Sequence, residues 1–122
     1  MSELPLVSFC LFTYNQERYI EEAIDGAFSQ DYDNLEIIIS DDSSTDSTWE
    51  IINKKTKGYS GKHKVILNRN ENNLGLAAHV NKLYYELSQG KYVAIAAGDD
   101  ISMPQRISKS VDFLEKNSKV VA

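Results

Sequence analysis

Short apolar runs and amphipathic segments alternate along the chain, and this alternation predicts strands and helices in turn. Continuous apolar runs, which are typical of strands covered on both faces, occupy residues 6–12, 35–40, 64–68 and 92–97. Apolar residues at helical spacing follow in residues 17–30, in the segment between Ser47 and Gly58, in residues 76–87, and again after Pro104. A fifth strand is predicted to begin at Val120. This order predicts an α/β fold with a largely parallel sheet and helices on both faces.

Local signals predict where the helices begin and which residues they bury. Asp46 or Ser47 can cap the second helix, and Ser47 has capping-box spacing to Glu50. The buried face of the third helix is predicted to contain Leu76, Val80, Leu83 and Leu87. We expect His63, which stands among lysines, to be exposed, and His79 to be a structural or an exposed residue of the third helix.

Polar segments follow the carboxyl end of every predicted strand. Open parallel sheets bind their ligands beyond these ends, at one edge of the sheet. The four segments read Thr13-Tyr14-Asn15, Asp41-Asp42-Ser43-Ser44, Asn68-Arg69-Asn70 and Gly98-Asp99-Asp100. Two acidic pairs and a Tyr-Asn step are therefore expected to converge on one rim.

The two acidic pairs differ in how readily an ordinary structural role explains them. Asp41 and Asp42 stand where helix caps are common, and capping is the ordinary role of such residues. Asp99 and Asp100 follow an apolar strand and precede the next helix by several residues, so both cannot be caps. Adjacent carboxylates repel unless a cation compensates, and oxygen ligands suit Mg²⁺ or Mn²⁺ carrying phosphate. We therefore interpret the second pair as part of a metal and phosphate site.

The composition of the chain excludes several classes of binding partner. The chain has 122 residues and a formal net charge of −5, so we expect one domain and no bulk attraction to nucleic acid or anionic lipid. No apolar stretch approaches the roughly 18 residues of a membrane helix, so no transmembrane segment is predicted. The single cysteine, Cys10, is expected to be buried, and it fits a cytoplasmic compartment.

Five motifs, in order along almost the whole chain, resemble those of the family 2 glycosyltransferases. They occupy residues 7–15, residues 19–30, residues 35–48, Asn73-Leu74-Gly75 with the positions up to Tyr92, and Gly98-Asp99-Asp100 followed by Pro104 and Arg106. Each motif alone is weakly specific, but the five together keep the family's order and spacing. The resemblance implies the three-layer, Rossmann-like GT-A fold, with residues 1–122 as its part that binds a nucleotide diphosphate-sugar.

The resemblance also implies an activity and a set of site residues. The family transfers a sugar from a nucleotide diphosphate-sugar, usually with inversion at the anomeric carbon. Three residues would line the nucleotide pocket: Thr13, Tyr14 and Glu17. Tyr14 would stack on the base, usually uracil, and Asp42 would accept a hydrogen bond from the base N–H. Asp99 would hold ribose or sugar hydroxyls, and Asp100, in the position of the DXD motif, would bind the Mg²⁺ or Mn²⁺ that bridges the diphosphate.

The chain departs from the family pattern in two ways. Many members carry a further aspartate where this chain has Ala97, so metal affinity or sugar selectivity is expected to differ. The general base that deprotonates the acceptor hydroxyl is expected beyond Ala122, so this chain alone should bind donor without transferring sugar. An uncovered strand edge near Val120 predicts self-association. The implied setting is polysaccharide biosynthesis in the cytoplasm, with a glycan or lipid-linked acceptor at the inner face of the membrane.

Other classes of protein share parts of this pattern. A response-regulator receiver needs an acidic pair after its first strand and a phospho-accepting aspartate after its third, and neither segment here supplies them. A sugar nucleotidyltransferase needs a glycine-rich first loop, which is absent. A non-catalytic nucleotide-binding module, or an inert fragment, stays open, because it would bind nucleotide without transferring sugar.

Overall fold

The computed structural model describes residues 4–116, in which four parallel strands form one sheet. The strands are β1 (Val7–Thr13), β2 (Leu35–Asp41), β3 (Lys64–Arg69) and β4 (Tyr92–Ala97), in the spatial order β3-β2-β1-β4. The helices are α1 (Ile20–Phe28), α2 (Thr48–Lys57), α3 (Leu76–Lys82) and α4 (Arg106–Lys116), and a π-helical segment (Leu83–Leu87) continues α3. The predicted α/β class is confirmed, and the strand predicted at Val120 lies outside the described residues.

Helices cover both faces of the sheet because successive side chains of each strand point to opposite sides. On one face, Phe9 and Ile37 belong to a core that also contains Ile24 of α1, Ile52 of α2 and Ile107 of α4. On the other face, a smaller core joins strand residues to the π-helical segment, and its buried members are Cys10, Ile38 and Leu83. The continuous apolar runs of β1 and β2 are therefore buried on both sides, as the sequence predicts.

The strand register brings the carboxyl ends of the strands to one edge. Thr13 at the end of β1 pairs with Asp41 at the end of β2, and Asp41 pairs in turn with Arg69 of β3. On the other side of β1, Phe12 pairs with Ala97, the last residue of β4. The polar segments that follow these strands therefore start side by side.

Two local expectations about helix ends are wrong. α1 begins at Ile20, within the predicted range 17–30, because the backbone N–H groups of Tyr19 and Ile20 both donate to the Gln16 carbonyl in a preceding turn. The Ser47–Glu50 capping box does not form. Asp46 Oδ1 instead accepts the N–H and the hydroxyl of Thr48, at 2.9 and 2.6 Å, and caps α2. The helix predicted after Pro104 does form there, as α4 from Arg106.

Two expectations about burial are also wrong. The helical spacing predicts that Leu76 is buried, but it is 67% exposed because the first turn of α3 stands at the rim of a cavity. The sequence predicts that His63 is exposed among its lysines, but the ring is buried and its Nε2 lies 2.8 Å from the carbonyl oxygen of Gln30. Among the described helices, none has the length and apolar character needed to cross a membrane.

Candidate functional site

A cavity of about 250 Å³ opens beyond the carboxyl ends of β1 and β2, on the face that α3 covers. Its lining residues are Phe12, Thr13, Tyr14, Gln16, Asp42, Asn73, Gly75, Leu76 and His79. Depressions of about 420 and 630 Å³ occur elsewhere, but neither contains a residue that follows a strand's carboxyl end. The smaller cavity therefore stands where parallel sheets bind ligands.

Asp42 is the charged group inside this cavity, and it is only 2% exposed. Its Oδ1 accepts hydrogen bonds from Asn70 Nδ2 at 2.9 Å and from the Leu74 N–H at 2.8 Å, while its Oδ2 accepts the Gly75 N–H at 3.0 Å. Burial raises the pKa of Asp42, but these hydrogen bonds outweigh burial and hold the pKa below its usual value. Asp42 is thus an ionised carboxylate whose Oδ2 keeps an acceptor position for a ligand.

The loop from Asn70 to Gly75 forms one wall of the cavity because Asp42 holds it in place. Gly75 has φ +86°, a conformation that glycine adopts without strain, and this conformation aims its N–H at Asp42. Asn73 Nδ2 also donates to the backbone carbonyl of Asp42, at 3.1 Å. The sequence signal that marks this wall is the Asn73-Leu74-Gly75 motif.

His79 of α3 lines the cavity from the opposite side and was not among the predicted site residues. Its ring is buried, with Nε2 2.6 Å from Ser40 Oγ and its plane edge-on to Phe12, at 6.2 Å between ring centroids. Burial lowers the pKa of His79, and the nearby carboxylates of Asp42 and Asp41 only partly oppose this effect. The ring is therefore neutral at neutral pH.

The lowered pKa of His79 predicts that acid destabilises the fold. Between the folded pKa and the ordinary value of 6.5, the unfolded chain binds a proton that the folded chain does not, so the free energy of unfolding falls as pH drops through this window. The pKa of Asp42 is lowered from 3.8, so that carboxylate titrates below this range. Urea unfolding at about pH 7.5 and about pH 5.5 should show a smaller pH effect in His79→Phe than in the unmutated chain. Equal pH effects in the two proteins would contradict this prediction.

The loops after β1 and β2 are tied together at the rim. Asn15, which has φ +49°, accepts the Thr45 N–H on its side-chain oxygen at 2.8 Å. Thr13 is buried and its hydroxyl donates to Gln16 Oε1 at 2.8 Å. Tyr14, between them, is 46% exposed and presents its ring at the mouth of the cavity. The rim is thus a fixed loop that carries one exposed aromatic ring.

The acidic turn after β4 packs directly against this rim. A Cβ atom placed on Gly98 would stand 2.5 Å from Gln16 Oε1 and 2.6 Å from Thr13 Oγ1. Only glycine allows so close an approach, and the turn with Asp99 and Asp100 is therefore held beside the mouth of the cavity. Both of these aspartates are exposed.

The predicted site residues fall into two groups. Those that share the cavity are Thr13, Tyr14 and Asp42. Asp100 instead lines an open depression of about 390 Å³ with Arg106, whose Nη1 lies 3.7 Å from the Asp100 carboxylate. Asp99 lines neither of these two cavities. Glu17 lies in the turn before α1, and its carboxylate accepts the N–H of Ser47, just before α2, at 3.2 Å.

The acidic turn has a donor set that fits a divalent metal carried by phosphate. Among residues 4–116, no three His, Cys, Asp or Glu side chains cluster closely enough to hold a metal by themselves. Mg²⁺ is commonly bound through one or two carboxylates, with substrate phosphates and water completing its shell. Asp100, whose side chain is 55% exposed, is accessible for such a role.

A parallel sheet with a ligand cavity and an acidic turn at its carboxyl edge defines an α/β ligand-binding domain of the Rossmann-like class. A sequence model described as glycosyl transferase family 2 matches residues 8–122 of this chain. The chain belongs to that family, and the family expectation from its motifs is confirmed.

Curated relatives agree with this assignment. The putative glycosyltransferase EpsE of Bacillus subtilis is 41% identical over 117 residues, which are 96% of this chain and 41% of that protein. The UDP-Glc:alpha-D-GlcNAc-diphosphoundecaprenol beta-1,3-glucosyltransferase WfaP of Escherichia coli is 37% identical over 112 residues, which are 92% of this chain and 42% of that protein. The chain thus spans about two fifths of the length of these relatives.

Solved structures confirm the predicted GT-A fold. The mannosyltransferase PcManGT from Pyrobaculum calidifontis, in complex with GDP-Man and Mn²⁺, superposes with a TM-score of 0.83 at 26% identity, over 93% of this chain and 33% of that one. TarS of S. aureus in complex with UDP-GlcNAc gives a TM-score of 0.78 at 24% identity, over 93% of this chain and 32% of that one. The second likeness is one of fold alone.

Proposed function

We propose that this chain is the donor-binding part of a glycosyltransferase that takes a nucleotide diphosphate-sugar, a UDP-sugar, together with a divalent metal. In the whole protein the sugar would pass with inversion to an acceptor hydroxyl. The observation that carries the proposal is that Thr13, Tyr14 and Asp42 share one cavity at the carboxyl edge of the sheet, in a domain of this family. A relative named for its use of UDP-Glc and a structural neighbour that holds UDP-GlcNAc support the choice of nucleotide.

The cavity residues would bind the base. Asp42 would accept the base N–H on Oδ2, the oxygen that makes only one hydrogen bond within the described residues. The exposed ring of Tyr14 at the mouth would stack on the face of the base, because aromatic rings pack favourably in offset or edge contacts. Thr13 would form the wall beside it. Glu17, whose carboxylate joins the turn before α1 to Ser47 just before α2, would support the outer side of this loop.

The acidic turn would bind the rest of the donor. Asp99 would hold ribose or sugar hydroxyls, and Asp100 would hold Mg²⁺ or Mn²⁺. When bound, the metal would stabilise the charge on the departing diphosphate, so that no side chain needs to protonate it. The structural neighbour with GDP-Man and Mn²⁺ supports a metal in this role. Ala97, where many members carry an aspartate, leaves the turn with one adjacent acidic pair.

The proposal predicts that UDP binds more tightly with Mn²⁺ than without it. The diphosphate must approach Asp42, Asp99 and Asp100 in a chain with a net charge of −5, so repulsion opposes binding unless a cation intervenes. Charge pairs at such a partly solvated site are worth a few kcal/mol, and removing the metal should weaken binding about tenfold or more. Isothermal titration of UDP with Mn²⁺ and with a chelator measures this ratio.

A matched pair of variants tests whether Asp100 is responsible. Asp100→Asn should remove most of the metal dependence. Asp112→Asn, which changes the net charge equally but at an exposed site on α4, should leave the metal dependence intact. Circular dichroism verifies that each protein is folded. If UDP binds the unmutated chain equally with and without chelator, the acidic turn is not a metal site.

A further inference from the structure

We propose that His79 is a second base-recognition residue in the cavity, donating from Nδ1–H to a base carbonyl that adjoins the N–H accepted by Asp42. This inference rests on the proposed nucleotide-binding function. The ligand class that it selects is a nucleoside diphosphate whose base has an N–H next to a C=O, as uracil does. Cytosine, a ring of the same size, presents an acceptor and an amino group at these positions and is disfavoured.

The argument begins at Asp42, because an ionised carboxylate can only accept hydrogen bonds. The atom of Asn70 that lies 2.9 Å from Asp42 Oδ1 must therefore be its amide nitrogen, and Asn70 Oδ1 points away. Lys82 of α3 agrees with this orientation, since its ammonium group can only donate and lies 2.9 Å from Asn70 Oδ1. The orientation of the Asn70 amide is thus set from both sides.

The same reasoning determines which hydrogen bond the Ser40 hydroxyl accepts. Asn68 faces the acceptor oxygen of Asn70 at 3.1 Å, so the Asn68 atom there must be its amide nitrogen. That nitrogen also lies 2.8 Å from Ser40 Oγ, so Asn68 donates to the Ser40 hydroxyl oxygen. The Ser40 proton must therefore go to another acceptor.

The Ser40 proton goes to His79. Ser40 is fully buried, and a buried hydroxyl without an acceptor is costly. Within the described residues, the remaining polar side-chain atom within hydrogen-bonding distance of Ser40 Oγ is His79 Nε2, at 2.6 Å. Ser40 therefore donates to Nε2, and Nε2 carries no proton.

A neutral imidazole that accepts at Nε2 carries its proton on Nδ1. Burial, which disfavours the charged ring, agrees with this neutral tautomer. Within residues 4–116 the Nδ1 atom makes no hydrogen bond, and His79 lines the same cavity as Asp42. The cavity thus offers one acceptor, Asp42 Oδ2, and one donor, His79 Nδ1–H, which together complement an N–H beside a carbonyl.

Competition between UDP and CDP in the presence of Mn²⁺ tests the selectivity. The unmutated chain should bind UDP at least about tenfold more tightly than CDP. Cytosine would place its amino donor against the His79 N–H donor and its ring-nitrogen acceptor against the Asp42 carboxylate. His79→Phe keeps a ring but removes the donor, and it should lower UDP affinity about tenfold while changing CDP affinity little. His79→Asn keeps a donor near the Nδ1 position and should retain most of the UDP preference. His63→Gln, which alters a buried histidine outside the cavity, should bind as the unmutated chain does.

Nitrogen NMR of the free protein provides a readout independent of nucleotide. The ¹⁵N shifts of His79 should show a protonated Nδ1 and an unprotonated Nε2, and Ser40→Ala should remove this preference. The opposite tautomer, or equal UDP affinity in His79→Phe, would overturn the inference and leave the proposed function standing. Failure of the folded, unmutated chain to bind UDP at all would overturn both.

Discussion

Replacing Asp42 with alanine should both abolish base recognition and loosen the loop from Asn70 to Gly75. The substitution leaves the Leu74 and Gly75 N–H groups and the Asn70 amide without their carboxylate acceptor. Hydrogen bonds to charged groups contribute roughly 1.5–3 kcal/mol each, but the loop can open locally, so we expect a total loss of about 2–4 kcal/mol in the free energy of unfolding. UDP affinity should fall about tenfold or more, because a base N–H would lose its acceptor.

The metal response separates the role of Asp42 from that of Asp100. Because Asp42 would contact the base rather than the diphosphate, Asp42→Ala should keep the ratio between UDP affinities with Mn²⁺ and with chelator. Titration under both conditions, beside urea unfolding, measures affinity and stability on the same preparation. Loss of the metal ratio in this variant would show that Asp42 acts on the diphosphate instead.

Asp46→Ala is the matched control for Asp42→Ala. Asp46 is also a carboxylate that accepts several local hydrogen bonds, among them the N–H and hydroxyl of Thr48 at 2.9 and 2.6 Å. It stands outside the cavity, although its Oδ2 also accepts the Glu17 N–H at 3.3 Å, so its removal should destabilise the start of α2 by about 1 kcal/mol and lower UDP affinity much less than Asp42→Ala does. If both variants bind UDP like the unmutated chain, the cavity is not the base site.

The sheet and its order of elements could be predicted from the sequence because they depend on local patterns. Ile37, Ile38 and Ile39 are three consecutive β-branched residues, and all three are fully buried in β2. The polar segments after the strands could be placed at one edge for the same reason, since parallel strands end together. The family motifs add candidate roles for individual site residues, which the spacing of apolar residues alone does not give.

The positions of the loop from Asn70 to Gly75 and of His79 around the cavity could not be predicted, because they depend on contacts between distant residues. Gly75 and Leu74 are held by Asp42, more than 30 positions earlier, and no pattern within the segment reveals that partner. His79 looks like an ordinary helical histidine until Ser40 is placed beside its Nε2. The role of a buried polar residue depends on its hydrogen-bond partners, and these partners can be identified only from the three-dimensional structure.

Two other buried polar residues illustrate the same limit. Glu36 interrupts an apolar strand and would ordinarily be expected to face water, yet it is 2% exposed. It accepts hydrogen bonds from the Ser8 hydroxyl and from the Gln89 N–H, the latter at 2.9 Å. His63 is buried although its neighbours are lysines, and its Nε2 lies 2.8 Å from the Gln30 carbonyl oxygen, whereas its buried Nδ1 has no partner among the described residues. At the Glu36 carboxylate and at His63 Nε2, a partner from a distant part of the chain replaces water.

The backbone packs so closely around Gly90, just before β4, that no side chain fits there. Gly90→Ala should therefore be strongly destabilising. A Cβ atom there would stand 2.6 Å from the Ser8 backbone nitrogen, 2.8 Å from the Tyr92 carbonyl oxygen and 2.9 Å from the Leu6 carbonyl oxygen. These are backbone atoms at the start of β1 and β4, so relief requires the two strands to separate rather than a side chain to rotate. We expect a loss of about 3 kcal/mol in the free energy of unfolding, and a melting temperature lower by about 10 °C or more.

Gly58→Ala provides the control for the chemical change from glycine to alanine. Gly58 ends α2 with φ −82°, and a Cβ atom there would have its nearest neighbour at 3.6 Å, an ordinary contact. Because alanine reduces the conformational freedom of the unfolded chain, this variant should be unchanged or more stable by about 0.5 kcal/mol. Thermal and urea unfolding of both variants measure the difference. Similar stability in the two variants would mean that the backbones at the starts of β1 and β4 do not meet at Gly90 as closely as the structure has them.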